Sequence, residues 1–202
     1  MKSKLLGLLG GLLAVLALPL GAQTLEATYL GINNGIVGFG TLDGGPFADT
    51  GSGEHDFDLF SGFCSDPYDG LTNGESVVYT IQDPGTLGEI GAIQRILDGY
   101  YNHSAQNALD AAGAQWAIWE VIQDGAGSPS FTSGLVQLGS SSANIATRAL
   151  DYFSALSSYQ PLPVTLLVSE SRQDMIIVVP EPAAAALAAT TLGLLALRRR
   201  RS

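Results

Sequence analysis

Between Thr24 and Gln82 apolar and polar residues alternate in short runs: TLEATYLGI, IVGFGTL, FDLF and ESVVYTIQ. Period-two alternation rich in Val, Ile, Phe and Tyr predicts strands. Asn33-Asn34-Gly35 and Asp43-Gly44-Gly45 predict turns between them. From Thr86 the period changes to three and four. Ile90, Ile93, Ile96 and Leu97 then share one face of a helix over 86–101, with Gly99 predicted as its C-cap. A second helix is predicted over 107–124, stopped by Gly125 and Gly127. A third is predicted over 142–157, with Ile145, Ala149, Phe153 and Leu156 on its apolar stripe. The Ser/Gly-rich stretch 125–144 reads as a loop between helices, and no internal repeat is present. VTLLVSE and DMIIVVP, separated by Ser171-Arg172-Gln173, predict two closing strands. Strands, then helices, then strands argue an α+β fold, an antiparallel β-sheet or barrel-like body with an inserted helical subdomain.

The second helix contains a contradiction. In AGAQWAIWEVIQD, residues 112–124, the positions Ala108, Ala112, Ile118, Trp119 and Ile122 line one side at helical spacing. Gln115 falls on the same side. A carboxamide on a buried stripe costs a few kcal/mol unless something replaces its water.

Both ends fall outside this pattern. Residues 1–22 carry Lys2 and Lys4, then the apolar run LLGLLGGLLAVLALPL, then LGA, the order of a secretory signal peptide cut near Ala22. The other end reads Pro180-Glu181-Pro182, then 15 mostly apolar residues from Ala183 to Leu197, then Arg198, Arg199, Arg200 and Arg201. At about 1.5 Å per residue that run reaches roughly 22 Å, marginal for a permanent span, and the arginines act as a stop-transfer signal. This order of parts resembles the PEP-CTERM sorting signal. The resemblance implies recognition of Pro180-Glu181-Pro182 by an exosortase, after signal peptidase has acted. It further implies transient anchoring in the inner membrane and release to the cell surface or beyond. A simple C-terminal anchor is the plainer alternative. The expected division is a signal peptide over 1–22, a body over 23–179 and a sorting signal over 180–202.

Without its ends the body keeps Arg95, Arg148 and Arg172 against eighteen acids, a net charge of about −15 compared with −10 for the whole chain. Such a surface repels phosphate backbones, so nucleic acid is excluded as a partner. The acids Asp49, Glu54, Asp56 and Asp58 lack the spacing and fixed glycine of a Ca²⁺ loop. No Cys/His cluster suits zinc and no Gly-rich phosphate loop opens a helix, so no metal or cofactor is expected.

One cysteine, Cys64, remains in a chain that reads as exported. An odd cysteine there is an intermolecular partner or a reactive sulfur. FCSDPYDGL at 63–71, IQRILDGYY at 93–101 and AQWAIWE at 114–120 together resemble the thioester domain of bacterial surface adhesins. The likeness runs in order from about Thr24 to Val179 and is specific from 63 to 120. In that family a cysteine after an aromatic or large apolar residue bonds to the glutamine of a Thr-Gln-x-Ala motif. Phe63-Cys64 matches the first element and Gln115-Trp116-Ala117-Ile118-Trp119 the second. Ala114 stands where the family has threonine, which removes a hydroxyl beside the glutamine.

The resemblance implies that the Cys64 thiolate attacks the Gln115 side-chain carbonyl and expels ammonia, leaving a γ-glutamyl thioester. Phe63, Trp116 and Trp119 are the residues expected to keep water from it. The cross-link closes a loop of about 50 residues, worth roughly 4 kcal/mol by the chain-entropy estimate used for disulfides. An amine on a surface polymer or protein converts the thioester to an amide once, without turnover. The protein is then a covalent adhesin or matrix component and not an enzyme.

Other readings stay open at this level. Cys64 can be a small buried hydrophobe, and Gln115 an amide bonded to a neighbouring loop. A cysteine hydrolase needs His55 or His103 beside Cys64 and an oxyanion hole. A non-covalent structural or carbohydrate-binding matrix protein would use exposed Tyr68, Tyr100 and Tyr101 for stacking.

Overall fold

The computed structural model describes residues 23–42, 45–67 and 70–179, without the side chains of 45–50. The expected signal peptide and sorting signal lie outside the described residues. Among the described residues no helix is long and apolar enough to cross a membrane.

The fold is α+β. Its strands are β1 (Thr24–Leu42), β2 (Gly45–Phe57), β3 (Ser61–Cys64), β4 (Ser76–Gln82), β5 (Val136–Leu138), β6 (Val164–Val168) and β7 (Met175–Val178). Its α-helices are α1 (Ile90–His103), α2 (Ala108–Gln123) and α3 (Ala143–Ser154), all placed between β4 and β6 in the chain. Every ladder is antiparallel, in the order β2-β3-β7-β6-β4-β1-β5. β1 also pairs with β2, so the sheet returns on itself as a ring.

The ring depends on one long strand serving two neighbours. Thr24–Thr28 of β1 pair with β4, whereas Tyr29–Leu42 pair with β2. The predicted turn at Asn33-Asn34-Gly35 is therefore corrected, because β1 runs straight through it. Asn34 takes a left-handed φ of 53°, and the register with β2 shifts between Asn33 and Ile36. A left-handed Asn inserts extra chain into one strand and bends it without ending it. The second predicted turn falls where β1 hands over to β2, with Leu42 opposite Gly45. The sequence reading also missed β3, β5 and most of β2, since its FDLF run, 57–60, overlaps β2 only at Phe57.

α2 is the central rod. It is buried on every side from Asp110 to Val121, so the single apolar stripe expected of it is replaced by a helix with no water-facing side over three turns. An all-round apolar helix is what a core position requires. Its start is fixed by a capping box, in which Asn107 accepts from the Leu109 and Asp110 N–H groups and Asp110 accepts from the Asn107 N–H. Asp110 also takes a hydrogen bond from Arg148 of α3 at 2.7 Å, and that guanidinium lies over the Tyr152 ring. The buried stripe of α3 is Ile145, Ala149 and Tyr152, with Phe153 and Leu156 only partly covered.

Gly99 does not cap α1, which continues to His103. A Cβ at Gly99 would sit 2.6 Å from the Tyr159 ring and 2.9 Å from Tyr152. The glycine is there for close packing inside the helix and not to end it. The stretch 125–144 is likewise more than a loop, since it supplies β5 and the 3-10 turn Ser140–Ser142.

Candidate functional site

β3 brings Cys64 into the core between β2 and β7. Cys64 pairs with Met175 of β7, and two residues earlier Gly62 pairs with His55 of β2. The β2–β3 ladder holds only His55↔Gly62 and Asp56↔Ser61, so β2 supplies no partner at Cys64. The side chain of Gln115 fills that position. The Cys64 N–H donates to Gln115 Oε1 at 2.9 Å, and Gln115 Nε2 donates to the Cys64 carbonyl at 2.8 Å. The carboxamide behaves as one residue of a missing strand. Cys64 and Gln115 are both fully buried, and 51 positions separate them in the chain. Because one partner is a donor and the other an acceptor, this network fixes the amide orientation without ambiguity.

The sulfur is held separately. The Cys64 thiol donates to the main-chain oxygen of Asp66. Burial pushes its pKa well above the usual range, and the charges of Asp66 and Asp174 push the same way. The Asp66 main-chain bond and a hydrogen bond from the Trp119 side chain pull it partly back. The resting group is accordingly a thiol. Asp174 braces the far side, since its carbonyl accepts from Ser65 N–H at 2.8 Å and its Oδ1 from Ser169 N–H at 2.9 Å.

The three residues expected to shield the site divide between two places. Trp119 is the one beside the sulfur. Trp116 packs edge-on against Trp119 with ring centroids 5.3 Å apart, and its indole N–H donates to Ser52 Oγ of β2 at 2.8 Å. β1 makes room for the Trp116 ring with two glycines; a Cβ at Gly38 would lie 2.8 Å from Trp116 Nε1. Phe63 is equally buried but meets Tyr100 and Tyr101 of α1 edge-on, at 5.1 Å and 6.4 Å. Neighbours on a strand point to opposite faces, so Phe63 seals the α1 side while Cys64 meets α2.

Neither histidine hydrogen-bonds to Cys64 among the described residues. His103 pairs with Asp98 at 3.2 Å and stacks on Tyr159. His55 is buried against Tyr29, its Nδ1 has no partner among the described residues, and burial lowers its pKa to about 4. Tyr100 is buried and Tyr101 partly so; their hydroxyls donate to Glu54 at 3.1 Å and 2.6 Å. Tyr100 is thus not the exposed stacking surface expected of it, and Tyr68 lies outside the described residues. Tyr101 and Glu54 line an open cleft of about 430 Å³ with Ser61, Asn102, Leu162 and Val178. Asp56 accepts from Ser61 Oγ and Asp58 from Thr28 N–H, so these acids are engaged locally.

Sequence reasoning missed Asp66, Met175 and Ser52 as parts of the site. Only the turn-like Ser65-Asp66-Pro67 carried any signal, because the other two contribute through strand register. Comparison of the chain with protein-family models, with curated proteins and with solved structures finds no match to any of them.

Proposed function

We propose that this chain is an exported surface protein whose Cys64 and Gln115 condense to an internal thioester that captures an amine-bearing target. The observation that carries the reading is the docking of the Gln115 carboxamide on the main chain of Cys64, the residue that holds the sulfur. The Cys64 N–H donates to the oxygen that becomes negative when the carbonyl is attacked, the role of an oxyanion-hole donor. For attack, rotation about the Cys64 Cα–Cβ bond, between staggered positions, has to carry the sulfur from the Asp66 oxygen to the acyl carbon. The C–S bond forms, the C–N bond breaks, and the thiol proton leaves with the nitrogen as ammonia. The surrounding tryptophans then withhold water from the product. Cys64 and Gln115 are fully buried and Asp66, whose main-chain oxygen accepts from the thiol, is half-buried, so on this reading capture requires an opening on the Asp66 side.

Export and sorting by exosortase belong to the same proposal and rest on the two chain ends. A second reading is favoured by the same pair of hydrogen bonds. Gln115 is satisfied as an amide, and a non-covalent structural or carbohydrate-binding matrix protein could keep it as a strand substitute. The cleft beside Tyr101 would then be its binding surface.

Intact mass of the full chain separates the two. The thioester reading expects a protein lighter by one ammonia that gains one methylamine on treatment, with neither change in Cys64→Ala. An unmodified mass near neutral pH leaves only the non-covalent reading.

A further inference from the structure

The positive side chains among the described residues are all engaged away from Glu54. Arg95 donates to the Tyr159 main-chain oxygen, Arg148 to Asp110 and Arg172 to Glu75, while His103 pairs with Asp98. His55 is buried, and burial keeps it uncharged near neutral pH. Glu54 itself is only 8% exposed. Its two oxygens accept from the hydroxyls of Tyr100 and Tyr101, at 3.1 Å and 2.6 Å. Neutral donors satisfy hydrogen bonds but leave the charge uncompensated, and a buried carboxylate without a counter-ion is costly.

Glu54 nevertheless lines the open cleft of about 430 Å³, together with Ser61, Tyr101, Asn102, Leu162 and Val178. A second negative charge stands close by, since Ser61 donates to Asp56 at 2.6 Å. Burial raises the pKa of the Tyr101 hydroxyl, and the charges of Glu54 and Asp56 raise it further, so both carboxylates act on the same wall. The hydroxyl donors of Ser61 and Tyr101 are committed to these two acids, and Asn102 Nδ2 donates to Asp98. The cleft therefore combines negative charge, an aromatic ring and two aliphatic side chains.

We propose that this cleft is a docking site for a guanidinium group, an arginine side chain presented by a partner protein. A guanidinium holds its donors in one plane and is more weakly hydrated than an ammonium, so it suits a buried carboxylate beside an aromatic ring. Leu162 and Val178 give its hydrocarbon stem an apolar surface to lie along. The proposal goes beyond both readings above. An arginine stays protonated and carries no free amine for a thioester. Ser61 and Phe63 also share one face of β3 whereas Cys64 points to the other, and Phe63 meets Tyr101 on that first side.

The test titrates the full chain with N-acetyl-arginine amide, N-acetyl-lysine amide and maltose, followed by NMR. The arginine probe should bind saturably and at least about tenfold more tightly than the lysine probe, with no binding of maltose. Glu54→Gln should weaken it about tenfold or more, the size expected for a hydrogen-bonded charge contact. Asn102 is exposed, so Asn102→Lys leaves the interior intact and places a competing cation at the cleft; it should weaken the arginine probe as much. Cys64→Ala should bind it like wild type. Absence of saturable binding, an arginine affinity unchanged in Asn102→Lys, equal affinity for the lysine probe, or a preference for maltose overturns the proposal and leaves the thioester reading standing.

Discussion

The carboxamide of Gln115 meets the main chain of Cys64 through both of its polar ends, at 2.9 Å and 2.8 Å. Replacing either residue should thus affect different things. Cys64→Ser keeps the main-chain groups and the docked amide, and removes only the sulfur. Gln115→Glu removes the donor to the Cys64 carbonyl and buries a charge with no counter-ion. Neither variant can form the thioester, so their difference isolates the docking. Gln115→Glu should be less stable than Cys64→Ser by about 3 kcal/mol at pH 8, measured by urea unfolding. Equal stability would mean that the carboxamide contributes nothing to the core.

Trp116 lies over β1 at the place where that strand also pairs with β5. A Cβ at Gly40 would come within 3.0 Å of the Trp116 ring and would run into the main-chain oxygen of Gln137. Backbone cannot give way as a flexible side chain can, so Gly40→Ala should cost about 2–3 kcal/mol. Calorimetry of the variant provides the check, and an unchanged melting temperature would contradict the close approach.

Gly99 gives the opposite of what helix propensity alone expects. Alanine inside a helix normally gains about 1 kcal/mol over glycine. Here the added methyl meets Tyr159 and Tyr152, so Gly99→Ala should lower stability by about 1–2 kcal/mol net. A stabilised variant would show that the two tyrosines can move aside.

Two buried titrating groups oppose each other between pH 4.5 and 6.5. Glu120 of α2 accepts from Ser130 N–H through Oε1, while Oε2 has no partner among the described residues. Burial raises its pKa from 4.5 to about 7, with Asp124 adding to the rise and the Ser130 bond opposing it. The folded state then holds a proton that the unfolded chain gives up above pH 4.5, so this contribution to stability falls as pH rises through about 7. His55, lowered from 6.5 to about 4 by burial, acts the other way. The unfolded chain binds its proton first, so this contribution falls as pH drops from 6.5 toward 4. Together they should leave stability nearly flat across the shared window. In Glu120→Gln the His55 slope should emerge as a loss of about 2–3 kcal/mol from pH 6.5 to 4.5. Urea midpoints across that range decide it, and a profile as flat as wild type would refute the assignment.

Much of the architecture was legible because it rests on local patterns. Helical spacing located all three α-helices, and VTLLVSE and DMIIVVP marked β6 and β7. What stayed hidden depends on partners distant in the chain. Gly99 looks like a helix terminator until Tyr152 and Tyr159 come to lie beside it. Asn33-Asn34-Gly35 reads as a turn, since nothing nearby records that β1 must pass from β4 to β2. Ser61–Cys64 is too short to show a period, yet it positions the sulfur. The pairing of Cys64 with Gln115 was expected only through a family resemblance; no periodicity could relate two residues so far apart. The main-chain bonds that join them could not be anticipated, because they depend on β2 turning away from β3.

The dual pairing of β1 has a bearing on how the molecule comes into being. Its first residues belong beside β4, and the side of the ring that leads from β4 to β3 without passing through β1 and β2 is made of β6 and β7, Val164–Val168 and Met175–Val178. A nascent chain lacking those segments has no route around the circle, however long the earlier hairpin has existed. Closure must await the arrival of the final fifteen or so residues of the body, and with it the strand that flanks Cys64. On the export route proposed above, threading through a translocation pore in extended form would sacrifice no finished structure, and Cys64 and Gln115 would meet only after passage.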